Sequence, residues 1–260
     1  MFETIHVTSD PRGVARLILN RPEKHNALNA QMISELTQAA DMLGADGLVR
    51  VVVLEARGKS FCAGGDLAWM KAQMSADNAT RAREATKLAV MLGALNRLPK
   101  PLIGRVHGPA YGGGVGMMSV CDVVIAARSA KFGLTETRLG LIPATIGPYV
   151  LARLGEAMAR RVFMSARIFD SEEAVTLGLV ARMVDTDVLD MAIEAEIAPY
   201  LACAPKAVAR AKALAQYLGG RIEPQDVEHS IAQLVACWED TEAEEGISAF
   251  FERRKPDWAH

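Results

Sequence analysis

Two glycine-rich stretches hold the residues whose type and spacing can do chemistry. The first, "AYGGGVGMMSVCD" (Ala110 to Asp122), sets three consecutive glycines between apolar runs. Glycine inside a regular element costs roughly 0.5–1 kcal/mol relative to alanine, so three together imply a backbone that something must approach closely. Three glycine-loop chemistries fail on the residues present. A phosphate loop needs Lys-Ser/Thr after its glycines, and "GGGVGMM" has neither. A dinucleotide fingerprint starting at Gly112 needs glycine where Met117 stands. A nucleophile elbow needs a serine inside G-x-S-x-G, and none is suitably placed. What remains is an oxyanion hole, in which bare backbone N–H groups at a helix start point at an oxygen that gains negative charge; close helix–strand packing is the competing explanation. The second stretch, "GKSFCAGGDLAWM" (Gly58 to Met70), also puts small residues at a strand–helix junction. Two such loops in one core can each donate an N–H to the same carbonyl oxygen.

The elements that must hold these loops alternate. "GVARLILNR" and "LVRVVVLEARG" read as strands by their β-branched runs. Between them Met32, Ile33, Leu36, Ala40 and Leu43 recur at helical spacing, with Asn29 as N-cap. Leu88, Met91, Leu92 and Leu95 mark a second amphipathic helix that stops before "PKP". "LIGRVHG" is then a strand, the glycine run a turn, "VGMMSVC" a short buried helix and "VVIAA" a strand. Asp170 and Glu173 read as a capping box, Gly178 closes that helix, and "LVARMV" is a further strand. This alternation implies an α/β core. From about Asp187 strand signals vanish and helical periods dominate. Met70–Thr86 and Thr145–Val150 carry little pattern.

Bulk properties exclude several classes of function. The 260 residues are half hydrophobic and 23% charged, with a formal net charge of -2, so no basic field is available to hold nucleic acid or an acidic membrane. Cys62, Cys121, Cys203 and Cys237 are scattered without a CxxC pair, which points to reduced thiols and no metal site. No signal-peptide core opens the chain and nowhere do 18 apolar residues run together, so the expected location is cytoplasmic. His25 in a polar loop reads as a surface imidazole, and His107 at a strand end as a hydrogen-bonding residue.

"NRPEKHNALN", "SFCAGGDL", "VHGPAYGGGVGM", "CDVVIAARSAKFGLTETRLGLIPA" and "EGISAFFERRKPDW" together resemble the crotonase (enoyl-CoA hydratase/isomerase) superfamily, in order and through almost the whole chain. The segment "GGGVG…CD…FGLTETRLGLIPATI" looks closest to the branch that hydrates methylglutaconyl-CoA. The resemblance implies a spiral of repeated ββα units over residues 1–203, carrying the CoA and active site, and a helical segment over 204–260 that builds trimers or hexamers. It places the oxyanion N–H groups at Gly65 and Gly113. It places Lys24 near the nucleotide phosphates, and Ala27, Ala63, Gly64, Asp66, Leu67, Tyr111 and Gly112 along the acyl-CoA channel. Coenzyme A then belongs to the substrate, and no separate cofactor is implied.

Hydratases of this family usually have two glutamates. One matches Glu136 in "KFGLTETR", which otherwise reads as a surface carboxylate pairing Arg138. The other is absent, its place taken by Gly116. The expected activity is addition of water to a 2-enoyl-CoA, with a branched or glutaconyl-type acyl group whose own carboxylate or branch enters space opened at Gly116. A double-bond isomerase needs only one carboxylate and is the alternative. A non-catalytic acyl-CoA- or RNA-binding protein on the same fold comes third.

Overall fold

The computed structural model describes residues 2–219 and 222–259. Its larger sheet is built from β1 (Ile5–Ser9), β2 (Val14–Leu19), β3 (Val51–Ala56), β4 (Leu102–Val106), β6 (Val123–Ala127) and β9 (Arg182–Val184), side by side in that order. β1 runs antiparallel to β2, and the other neighbours are parallel. Parallel strands need crossovers, and helices α1 (Ala30–Ala45) and α3 (Asn78–Asn96) supply them. β3 shows why its apolar run is unbroken. Val52 and Leu54 point into the main core, whereas Val51 and Val53 join a second core under helix α7 (Leu189–Leu201). The strand is covered on both faces, so alternate residues serve different cores.

A second, smaller sheet holds β5 (Ala110–Tyr111), β7 (Lys131–Gly133) and β8 (Ile168–Asp170) in the order β5-β7-β8. Successive units send their first strand to the large sheet (β4, β6) and their second to the small one (β5, β7). This is the repeated ββα spiral that the resemblance implies. Two isolated parallel bridges, Leu28 to Gly65 and Cys62 to Ala110, continue the small sheet's pairing into the loops.

Most of the elements expected from the sequence are present. Asn29 caps α1 by accepting from the Met32 amide. Helix α4 (Gly113–Ser119) starts inside the glycine run and not after it. Asp170 caps α6 (Ser171–Thr176), but the Glu173 carboxylate turns to Arg161 and Arg167, so only half of the expected capping box forms. The two segments without pattern are largely helical: Met70–Thr86 spans the end of α2 (Leu67–Met74) and the start of α3, and Thr145–Val150 runs into α5 (Gly147–Phe163). α2 buries only Gln73, and a helix with so little buried face leaves no apolar period to read. β1, β5, β7 and β8 also go unread, the last three because they are two or three residues long.

The tail comprises α8 (Pro205–Leu218), α9 (Pro224–Glu239) and α10 (Thr241–Glu252). α8 buries none of its residues, and Leu214, Tyr217 and Leu218 stand exposed. The tail nevertheless packs on its own chain. Lys212 pairs with Asp122 at 2.8 Å, and the Gln216 amide donates to the Asn96 carbonyl at 2.7 Å.

One buried side chain ties the "NRPEKHNALN" loop to the core. Asn26 is fully buried at φ 54, accepts from the Arg21 amide and donates to the carbonyls of Arg57 and Ser60. Asn26→Ala strands these three groups, which predicts a loss of about 3 kcal/mol in chemical denaturation.

Candidate active site

The site is assembled by short backbone pairings. Leu28 donates to the Gly64 carbonyl at 2.7 Å, and the Asp66 amide donates back to Leu28 at 2.9 Å. The Tyr111 amide donates to the Cys62 carbonyl at 2.9 Å, which lays the second glycine loop beside the first. Tyr111 pairs with Gly133 across β5 and β7, and the Gly112 amide donates to the Gly133 carbonyl at 3.0 Å. Glu136 follows Gly133 by three residues, so this pairing delivers it to the glycine run.

Each glycine of the run has its own reason. Gly112 sits at φ 47 and ψ −113, which residues with a Cβ avoid, and a methyl there would lie 2.9 Å from Glu136 Oε1. Gly64, at φ 92, packs back to back with Gly112: a methyl on either would lie within 4 Å of the other's Cα. A methyl on Gly113 would meet the end of the Leu28 side chain at 2.6 Å, and one on Gly114 the Cys62 carbonyl oxygen at 2.7 Å. The protein's own packing therefore demands Gly112 and Gly114. Gly65 and Gly113 are the residues that follow the back-to-back pair. Among the described residues neither of their N–H groups makes a hydrogen bond. Two free donors, one per loop, thus stand at one junction, as a carbonyl oxygen turning into an enolate requires.

Glu136 opens a short 3-10 turn, Glu136–Leu139. Its Oε2 is sealed from solvent and has no partner among the described residues. Burial pushes the carboxyl up to about 7, and its own backbone amide offsets this only in part. Arg138, the partner expected of a surface carboxylate, donates instead to the Ala166 carbonyl. A group with this pKa takes and returns protons at neutral pH. Cys62 lies under the loops, but burial pushes its thiol up to about 12, so it offers no thiolate nucleophile.

The expectation of open space at Gly116 is corrected. A methyl on Gly116 would sit 2.6 Å from Ile146 Cγ2 and 3.0 Å from its Cβ, with Leu92 at 3.7 Å. Ile146 is itself buried and fills the place of the missing carboxylate. One loop thus lays Glu136 on Gly112 and, ten residues later, Ile146 on Gly116. Gly116 lies one turn below Gly112 and donates to its carbonyl at 3.0 Å.

The remaining expected residues surround this junction. Lys24 is exposed. Ala27 is buried, Ala63 and Leu67 are exposed, and Tyr111 is half-buried beside Gly64. Asp66 is buried and both its oxygens are engaged. It caps α2 through the Ala68 and Trp69 amides and pairs with Arg21 at 2.9 Å. Burial alone would raise its carboxyl, but Arg21 and the two amides outweigh this and hold it below the usual range. Asp66 is thus an anchor of the loop. His25 meets the Ser60 hydroxyl at 3.0 Å and His107 the Gly58 carbonyl at 2.8 Å, both holding loops. Sequence reasoning assigned no role to Arg21 or Asn26. Arg21 donates to the Ala27 carbonyl and to Asp66, and so joins the "NRPEKHNALN" loop to the first glycine loop, Gly58 to Met70. A polar residue held at positive φ, as Asn26 is, leaves no signal in residue spacing.

The fold is shared with solved proteins of known class. A solved enoyl-CoA hydratase from Shewanella pealeana is 36% identical, with a TM-score of 0.81, covering 99% of this chain and 96% of its own. One from Mycobacterium avium is 30% identical, with a TM-score of 0.88 and full coverage of both chains. The human mitochondrial methylglutaconyl-CoA hydratase is 32% identical over 96% of this chain and 75% of its own length. It stands among enoyl-CoA hydratases of similar identity, so likeness does not single out its acyl group. The profile of the family described as enoyl-CoA hydratase/isomerase matches residues 9–260. The chain therefore belongs to the enoyl-CoA hydratase/isomerase family.

Proposed function

We propose that this enzyme hydrates a 2-enoyl-CoA thioester with Glu136 as its single acid–base group. The observation that supports this reading is the placement of Glu136 Oε1 against Gly112, with a carboxyl that burial raises to about 7, next to two unpaired N–H groups. The thioester oxygen sits between the N–H groups of Gly65 and Gly113. Water adds to Cβ as the Cα=Cβ electrons move onto that oxygen, giving an enolate. Glu136 takes the proton that water loses and delivers it to Cα, which restores the carbonyl. Lys24 faces the nucleotide phosphates. The acyl group is branched or of the glutaconyl type, a reading supported by likeness to methylglutaconyl-CoA hydratases. The filled space at Gly116 lends it no support.

The apolar wall at Gly116 and Ile146 favours one second reading. A lone carboxylate beside an enolate hole suffices to move a proton from one carbon to another, so the same site can isomerise a double bond. Straight, branched and glutaconyl-type enoyl-CoA thioesters, analysed by mass spectrometry, separate the two. A gain of one water identifies hydration, and an unchanged mass with a shifted double bond identifies isomerisation. Thioester cleavage or no turnover overturns both. A Cβ on Gly113 meets the Leu28 side chain, and Gly113→Val is expected to fold while turnover drops about 100-fold through the disturbed donor, circular dichroism checking the fold.

Glu136 also couples pH to activity and stability with opposite signs. Its ionised form accepts the proton from water, so kcat/KM rises with pH through about 7. The folded state holds this proton more tightly than the unfolded state, whose value is near 4.5. Glu136's contribution to stability is therefore full below pH 4.5 and is lost as pH rises to about 7. Glu136→Gln is expected to lose nearly all turnover, yet to be more stable than the parent above pH 7 by up to about 3 kcal/mol. Denaturation curves at pH 5 and pH 8 check the sign.

The exposed apolar residues of α8, with Phe250, Phe251 and Trp258, support assembly into a trimer or a dimer of trimers. Light scattering at micromolar concentration is expected to give three or six copies, and a monomer overturns this reading.

A further inference from the structure

Behind the site, the backbone of the Glu136 turn touches the backbone of α10 at two points. A methyl on Gly246 would lie 2.5 Å from the Leu139 carbonyl carbon and 2.7 Å from its oxygen. A methyl on Gly140, itself at φ 69, would lie 2.4 Å from the Glu242 carbonyl. Ordinary contact begins at 3.4 Å, so either methyl demands a shift of about one ångström. No rotating side chain lies between the two backbones to absorb it. Leu139 ends the turn that Glu136 begins, and the Leu141 amide donates to the Glu136 carbonyl at 3.1 Å, so a push on Leu139 reaches Glu136.

The same tail also grips the other half of the site. Leu141, Ala243 and Ile247 form a buried cluster, against which Met74, Leu139 and Trp238 pack. Met74 ends α2, the helix that starts two residues after Gly65. Arg81 donates to the carbonyls of Gln73 and Met74 at 3.0 and 3.1 Å. Its guanidinium lies 5.3 Å from the centre of the Trp238 ring in α9. α9 and α10 therefore contact the far end of the Gly65 arm and the back of the Glu136 turn together.

We propose that Gly246 and Trp238 are positioning residues that set Glu136 against the Gly65 donor, so that the C-terminal helices govern the proton-transfer step. The inference rests on the roles proposed above for Glu136 and Gly65. Placement errors of about 1 Å cost up to about 100-fold in rate with little effect on binding, because only the reacting geometry is lost.

The test uses the full-length protein and the best substrate of the thioester panel, with acetyl-CoA as a binding probe. Gly246→Ala is expected to lower kcat at least about tenfold while KM and acetyl-CoA affinity stay within about threefold. Trp238→Ala is expected to lower kcat in the same pattern, and Trp238→Phe to restore most of it by keeping a ring under Arg81. The Trp238 pair decides the matter if Gly246→Ala does not fold. Unchanged kcat in folded Gly246→Ala, or equal kcat in the two Trp238 variants, overturns the inference. Glu136→Gln is measured alongside. If it is inactive while Gly246→Ala is fully active, the positioning role alone fails; if it is active, the reading of Glu136 fails with it.

Discussion

The pairing of Tyr111 with Gly133, closed by the hydrogen bond from the Gly112 amide to the Gly133 carbonyl, is the constraint on which the site depends. It continues the pairing of Ala110 with Phe132, both buried in the main core, and so joins the glycine run to the segment that carries Glu136. Once it forms, Glu136 must lie over Gly112, and only a residue without Cβ can occupy that position at φ 47. The back-to-back contact of Gly112 with Gly64 then places the next residue of each loop, Gly113 and Gly65, at one junction. A few short backbone contacts thus hold a carboxylate and two free N–H groups together. These contacts are made by backbone atoms, whose freedom is limited to two soft dihedrals per residue.

The electrostatic character of the site follows from what surrounds the carboxylate. Glu136 Oε2 has no donor among the described residues, and Ile146 closes the neighbouring turn of α4 with hydrocarbon. An ionised carboxylate there is poorly solvated, so the group is held near neutrality in its proton affinity. Asp66 is driven the other way by Arg21 and two amides. Among the described residues Glu136 Oε2 has no partner whereas Asp66 has three, and that difference, together with the deeper burial of Glu136, sends the two carboxyls in opposite directions.

The tail ties this chemistry to the rest of the chain. α8 exposes apolar surface, whereas α10 presses its backbone onto the turn that bears Glu136. The C-terminal helices therefore face both ways, inward on the site and outward on solvent. Residue 204 lies between α7 and α8, and the helices beyond it reach back to the rest of the chain through Lys212, Gln216 and Gly246.

The sequence alone determined the elements with a buried, periodic face: α1, α3, and strands β2, β3, β4 and β6. It also marked the two glycine loops, and by resemblance Glu136, because these features lie within a few adjacent residues. It did not reveal α2 or the edge strands, where little side-chain surface is buried or the segment is too short to show a period. Nor did it reveal that Ile146 fills the space at Gly116, that Arg21 clamps Asp66, or that Gly246 rests on Leu139. Each of these joins residues 30 or more positions apart, and residue types at a single position say nothing of the neighbour across such a gap. Local spacing reports which face of an element is buried; which residue covers that face is decided when the elements pack.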